Sequence, residues 1–253
     1  MGQDKAGEHY WNSVWNEKIV IDEIDINYYT NRLLHNLYQK YFQFDKTKKV
    51  LEIGCALSAN LLYFNKYFGY QIHGFDYEVE AVKKTKNIYN TMNYKANIFH
   101  RDFFSKEETD KYDILTSFGL FEHFENIENS IAHTKHYLKD NGIILTVIPN
   151  MNGIVGLLQK LLNKPVYDVH IPYTREDIKN AHEKVEYHTL FCNYYGLYQA
   201  GVINLTGNRF ENIFRKLLAI PGKPIYYLYK LTKIPFDSKY ISPYIVYIGV
   251  LKP

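Results

Sequence analysis

Cysteine is scarce in this 253-residue chain. Cys55 and Cys192 are its only two, too few for a disulfide framework, which points to a reducing compartment. No apolar run approaches the ~18 residues that span a bilayer. Charge of neither sign dominates: 30 Lys and Arg face 27 Asp and Glu, a net charge of +3. That balance is too mild for a dedicated nucleic-acid binder read from charge alone. There is no internal repeat and no low-complexity tract. The opening MGQDKAGEHYW carries neither a basic-then-apolar leader nor a hydroxyl at position 6 for myristoylation. A soluble, cytoplasmic protein without a transmembrane segment is the expectation. Hydrophobic residues make up 46%, enough for a sizeable core.

The periodicity alternates between helix and strand. Residues 25–43 place Ile26, Leu33, Leu34, Leu37 and Tyr41 near helical spacing, which predicts an amphipathic helix. Lys49–Ile53 then reads as a strand stopped by Gly54, and a helix from about Asn60 stops at Gly69. Further strands follow at Tyr70–Phe75, Asn97–His100, Tyr112–Ser117 and Gly142–Pro149. Helices are predicted over 78–92 and through Ile127, Ile131, Thr134 and Leu138. Strands alternating with helices are the pattern of βαβ units and a parallel sheet. Right-handed crossovers put the strands' C-terminal ends on one edge, where ligands bind. Glu52–Ser58, Asp76, Asp102, Ser117–His123 and Pro149–Asn150 all fall at such ends.

Beyond residue 150 the pattern loosens, with strands expected near Tyr187–Cys192 and Tyr244–Leu251. Between them lies a basic, aromatic helical insertion at about 195–240; residues 209–240 hold seven basic and two acidic side chains. It reads as a cover and lid over the sheet. An anionic membrane surface is a weaker alternative, because Pro221, Pro224 and Pro235 divide the segment.

The first strand's exit carries the chemistry: Glu52-Ile53-Gly54-Cys55-Ala56-Leu57-Ser58. A glycine there allows a sharp turn and close ligand approach. A dinucleotide site wants G-x-G-x-x-G, whereas this turn lacks the second and third glycines, and Glu52 would repel a pyrophosphate. The segment resembles the first motif of class I S-adenosylmethionine-dependent methyltransferases, an acid followed by spaced glycines, with Ala56 and Ser58 where glycines are usual. The resemblance covers about residues 48–150, with the terminal strand as weaker support. It implies a Rossmann-like three-layer α/β sandwich with a mostly parallel seven-stranded sheet and an antiparallel last strand. Residues 1–47 would then be an N-terminal helical cap and 48–253 the methyltransferase domain.

The same resemblance implies that S-adenosylmethionine is the cofactor, leaving as S-adenosylhomocysteine. Asp76 looks like the acid on the ribose hydroxyls and Asp102 the acid beside the adenine, with Phe103 as a ring neighbour. Cys55, Ala56, Tyr77 and Ser117 complete the expected lining with Glu52 and Gly54. Leu138–Gly142 resembles the family's turn before the fifth strand. Tyr10 and Trp15 resemble a segment that covers the cofactor, although an aromatic staple on the first helix explains them as well.

Methyl transfer needs alignment and exclusion of water, with a base when the acceptor is a hydroxyl or a protonated amine. His123, in Phe121-Glu122-His123, is the candidate base or else a packing residue. His170 and Tyr173 are candidate acceptor-binding residues, with Thr174 as the N-cap of the helix that follows. No metal site is expected: His182 and His188 lack ligand spacing, and nothing supports an ion on Asp168 and His170. The acceptor is expected to be a small molecule, a sugar or nucleotide-linked intermediate. Ser117-Phe118-Gly119-Leu120 lacks the Pro-Pro pattern for base amino groups, so no nucleic acid is expected. An NAD-dependent oxidoreductase, an RNA-directed methyltransferase and a scaffold without turnover are the rival readings.

Overall fold

The computed structural model describes residues 4–7, 21–105, 110–206, 208–232 and 237–253. Its centre is a seven-stranded sheet. The strands are β1 (Lys49–Ile53), β2 (Gln71–Asp76), β3 (Ala96–His100), β4 (Tyr112–Phe118), β5 (Leu138–Pro149), β6 (Tyr187–Tyr195) and β7 (Tyr244–Leu251). They lie in the order β3-β2-β1-β4-β5-β7-β6. The pairs β1–β2, β1–β4, β2–β3 and β4–β5 are parallel, and β7 runs antiparallel to both of its neighbours. This is the expected mostly parallel sheet with an antiparallel last strand.

Alternation along the buried strands feeds two cores, one on each face. Val50, Ile72 and Ile114 join one cluster with Leu37 and Tyr38 of α1 (Tyr29–Tyr38), Leu61 and Phe64 of α2 (Asn60–Phe68), and Val82 and Tyr89 of α3 (Val79–Thr91). Leu51, Ile53 and Leu115 join the other with Ile131 of α4 (Ile127–His133). Two helices, α5 (Ile154–Leu162) and α6 (Lys164–Asp168), lead to α7 (Arg175–Lys184), which adds Ile178 and Ala181 to this second cluster. The result is the three-layer sandwich that the βαβ pattern predicts. The period of two also puts Glu52 on the face of Val50, and Asp76 on that of Ile72 and Gly74. Register pairs Glu52 with Gly74, so both acids end their strands on the side where α2 begins.

Helix ends follow local chemistry. Gly69 closes α2 at φ +73°, a left-handed conformation that glycine adopts without a Cβ penalty. Thr174 caps α7 in a reciprocal box with Asp177. The first helix is shorter than its periodicity predicts, because residues 25–28 turn on the Asp25 side chain, which accepts from Asn27 N at 2.8 Å. Leu138 belongs to β5 rather than to the preceding helix: it pairs with Tyr112 across a register shift, and its side chain is buried. Lys139–Gly142 is accordingly part of an irregular strand, with Asn141 at φ +61°, rather than a free turn.

Two elements escaped the sequence pattern altogether, α5 and α6. The insertion forms two helices, α8 (Glu211–Ala219) and α9 (Gly222–Thr232). Phe214 and Leu218 rest on Val155, Ile203 and Leu205, and the Tyr226 ring stacks on Tyr29 at 4.9 Å. No helix among the described residues is long and apolar enough to cross a membrane.

The strand-to-loop junction is tightest at Gly74, where an added Cβ would lie 2.7 Å from Cys55 Sγ and 2.9 Å from Leu61 Cδ1. Gly74→Ala is therefore expected to destabilise the protein by about 1–3 kcal/mol through overpacking. A denaturant midpoint equal to that of the wild type would contradict this packing.

Candidate active site

The loop after β1 closes without the usual glycines. Gly54 takes φ +69°, and Gly54 N and Cys55 N both donate to Phe75 O at 3.0 Å. The second tight point falls on Leu57, at φ +53°, a conformation costing a non-glycine residue about 1–2 kcal/mol. Two hydrogen bonds to α3 hold it there. Leu57 N donates to Thr85 Oγ1 at 2.9 Å, and the Tyr89 hydroxyl donates to Ser58 O. Sequence motifs place the loop's freedom at Ala56 and Ser58; the chain instead bends between them.

Glu52 and Asp76 lie under this loop. Ser58 Oγ donates to Glu52 Oε2 at 2.9 Å. Ala56 N and Glu78 N donate to the two oxygens of Asp76 at 3.1 and 3.0 Å. Burial raises the Glu52 pKa to about 8, with the Asp76 charge adding to the shift, and it raises that of Asp76 as well. Both acids line a cavity of about 260 Å³ together with Gly54, Ala56, Ser58 and Tyr77. A buried acid pair walling a cavity suits a ligand that brings positive charge and hydroxyl donors.

A second cavity of about 380 Å³ adjoins the first; Asn60, Phe118 and Gly119 line both. Glu122, His123 and His170 lie on its wall, with Tyr38, Tyr63 and the amides of Asn31, Gln159 and Asn204. Backbone bonds gather the three titratable groups. Glu122 and His123 occupy a short 3-10 turn, and Ile171 N donates to Glu122 O at 2.8 Å, drawing in the His170 segment. The two imidazole rings lie 4.7 Å apart.

His123 Nδ1 donates to Val169 O at 2.9 Å and His170 Nδ1 to Val166 O at 2.6 Å, which leaves Nε2 as the accepting nitrogen of each ring. Burial lowers both imidazole pKa values to about 4 and raises that of Glu122 to about 8. Glu122 Oε1 is 4.0 Å from His123 Nε2, but near neutral pH both groups are uncharged and no ion pair forms. Glu122 Oε2 is buried without a hydrogen-bond partner among the described residues.

Other expected site residues lie elsewhere. Cys55 is fully buried in the core beneath Gly74, and the fully buried Ser117 lines neither cavity. Asp102 is exposed beyond β3, where it accepts from Phe104 N; Arg101 N, bonded to Asp76 O, holds that turn beside the cavity's edge. Phe103 packs among Phe121, Phe124 and Tyr137 in the second core. Tyr173 donates its hydroxyl to Phe124 O and lines neither cavity, because that bond turns it back onto the core. Tyr10 and Trp15 lie outside the described residues. His182 is a packing residue, stacked on Tyr247 at 3.7 Å. Sequence reasoning missed Asn60, Tyr63, Gln159 and Asn204, which no motif marks, and it took Glu122 only as half of a Glu-His pair that the family resemblance sets beside the cofactor, without a role of its own.

The family profile described as "Methyltransferase domain" matches residues 26–195. The chain therefore belongs to the methyltransferase-domain family. Solved structures show the same fold at low identity. An S-adenosylmethionine-dependent methyltransferase from Clostridium acetobutylicum is 10% identical over 97% of this chain and 99% of its own, with a TM-score of 0.58. The PH0226 protein of Pyrococcus horikoshii is 11% identical over 99% and 95%, also at 0.58. The cyclase SpnF is 12% identical over 87% and 80%, at 0.59. No curated protein sequence matches the chain.

The buried carboxyls set a pH dependence. A carboxyl whose folded pKa is raised gives stability that is fully present below its unfolded value, near 4.5, and lost as pH rises through the folded value. For Glu52 the window runs from about 4.5 to about 8. Relative to the ligand-free wild type, Glu52→Gln should gain about 2 kcal/mol between about pH 6.5 and 9. Chemical denaturation at the two pH values checks this; a pH-independent difference would contradict a raised Glu52.

Proposed function

We propose that the chain transfers a methyl group from S-adenosylmethionine to a small, uncharged, hydroxyl-bearing acceptor. The observation that carries this reading is the pair of adjoining cavities. One is walled by the buried acids Glu52 and Asp76, the other by amides, aromatics and the Glu122–His123–His170 group. The residues of the smaller cavity fit the cofactor that the family implies. Its ribose hydroxyls suit Asp76, whose two oxygens are already oriented by backbone N–H groups, and its cationic end suits the buried carboxyl of Glu52. When bound, that cofactor supplies an already activated methyl group.

What this chain contributes is binding, alignment and exclusion of water. Gly54, Ala56 and Tyr77 wall the cofactor side. Asp102, at the turn that Arg101 fixes against β2, takes the adenine side of the proposal, with Phe103 as the packed base of that turn. Asn60 and Gly119, shared by the two cavities, stand where cofactor and acceptor meet. At the acceptor side His123 and His170 present imidazoles that are neutral at physiological pH. A pKa near 4 makes His123 a weak store for a proton, so its contribution is to accept a hydrogen bond from the acceptor hydroxyl at Nε2 and orient it.

The acceptor's character follows from the wall. Among the described residues, none that lines the larger cavity is Lys or Arg. A phosphorylated or nucleotide-linked acceptor would find no counter-charge on that wall, and an RNA backbone none either; Lys5, whose N donates to His123 O at 2.8 Å and whose charge reaches both imidazoles, lies beside the cavity without lining it. Asn31, Gln159 and Asn204 instead offer amide partners to hydroxyl and carbonyl groups. The insertion is a cover in this reading, since Val202 and Asn204 at its start close one side of the cavity.

Calorimetric titration with S-adenosylhomocysteine, with NAD as a parallel ligand, tests the reading. The expected result is binding of the first alone, weakened by roughly 1–3 kcal/mol in Asp76→Ala, the value of hydrogen bonds to a charged group. Undiminished affinity in a folded Asp76→Ala variant, or binding of NAD alone, would contradict it.

A further inference from the structure

We propose that Glu122, His123 and His170 bind a divalent first-row transition-metal ion on the wall of the larger cavity. The ion's open coordination positions would take the acceptor's oxygen. One ligand atom from each of the three residues lies within 4.8 Å of the others. Metal–ligand bonds of about 2.0–2.2 Å set tetrahedral partners about 3.4 Å apart, so the trio needs to contract by little more than an ångström.

Three independent features of this group suit an ion. First, each imidazole donates Nδ1–H to a backbone carbonyl, His123 to Val169 and His170 to Val166, which fixes the tautomer with the lone pair on Nε2. Such outer bonds are the usual supports of a metal-ligating histidine. Secondly, Glu122 is 1% exposed and its Oε2 has no hydrogen-bond partner among the described residues. A buried polar atom left unpaired costs about 1–3 kcal/mol, and a cation at that point removes the penalty. Thirdly, the group borders a cavity rather than being sealed in the core.

Two imidazoles and one carboxylate with open positions are the donor set of catalytic zinc and non-haem iron sites, whereas structural zinc fills all four positions with protein ligands. Asp168, the nearest acid along the chain, does not join the set; it is exposed and pairs with Lys164.

The metal site itself does not depend on methyl transfer; the acceptor's place on the ion rests on the function proposed above. The ion would take the Nε2 lone pair of His123 and hold the acceptor oxygen in its place. A bound oxygen would lose its proton more readily than a free hydroxyl, giving it up to solvent as the acceptor enters, so no side-chain base of matched pKa would be required.

Metal-free protein titrated with Co²⁺ tests the site, followed by visible d–d absorption, with S-adenosylhomocysteine binding measured on the same samples. The expected result is saturation at one ion per chain. His170→Ala and Glu122→Gln should weaken it by more than about 100-fold, beyond the loss that outer partners alone cause. Cofactor-product affinity should stay unchanged. X-ray absorption of the Co²⁺-loaded wild type should count two imidazole ligands, a readout that does not depend on the variants folding. No saturable band, binding indifferent to both substitutions, or a spectrum without imidazole would overturn the site. Co²⁺ binding with no S-adenosylhomocysteine binding would uphold the ion and overturn the methyl-transfer reading instead.

Discussion

A carboxyl group at the end of a buried parallel strand has little water to solvate its charge, and this fold puts two of them under one loop. Glu52 and Asp76 end adjacent strands on the same face because side chains alternate and register sets Glu52 opposite Gly74. Gly74 has no side chain because Cys55 and Leu61 occupy that space, and the loop is pinned to α3 through Thr85 and Tyr89. Burial raises the pKa of both carboxyls, and in the proposed function a ligand bringing positive charge and hydroxyl donors offsets that cost.

Much of this was legible in the sequence because it depends on short-range pattern. Alternation and run length gave the strands, and Gly69 the end of α2. Asp76 could be placed because it directly ends an apolar run. Leu138 was misread because it stands four residues after Thr134 and so fits a helical period, while its partner Tyr112 is distant in sequence. The α5 segment was missed for a related reason. Its sequence, IVGLLQKLL, buries the polar Gln159 and exposes Leu157 and Leu161, the reverse of the usual pattern, and Gly156 reads as a breaker. That glycine is required by the backbone: a Cβ there would meet Met151 O at 1.9 Å.

The larger cavity, the acceptor side in the proposed function, was far less legible. Its wall is assembled from α1, α2, the turn after β4, the end of β5, α5 and the segment after β6. No spacing rule joins Asn31, Gln159 and Asn204, since only tertiary packing makes them neighbours. Glu122 is instructive because the sequence showed it beside His123, but not that both would be buried with His170 against one cavity. Tyr173 shows the reverse case: a conspicuous aromatic near the site that is spent on a backbone carbonyl. A fold that also hosts a cyclase shows why the acceptor must be argued from these side chains rather than from topology.

The central claim is that Glu52 is a neutral buried acid waiting for a cationic ligand. The most direct test is calorimetric titration of the protein with S-adenosylmethionine, whose sulfonium carries the positive charge, near pH 7 in two buffers of different ionisation enthalpy. The account predicts proton release on binding, as Glu52 ionises beside the ligand's charge, and its loss in Glu52→Gln. Binding with no proton exchange in the wild type, or exchange that persists in the variant, would contradict it.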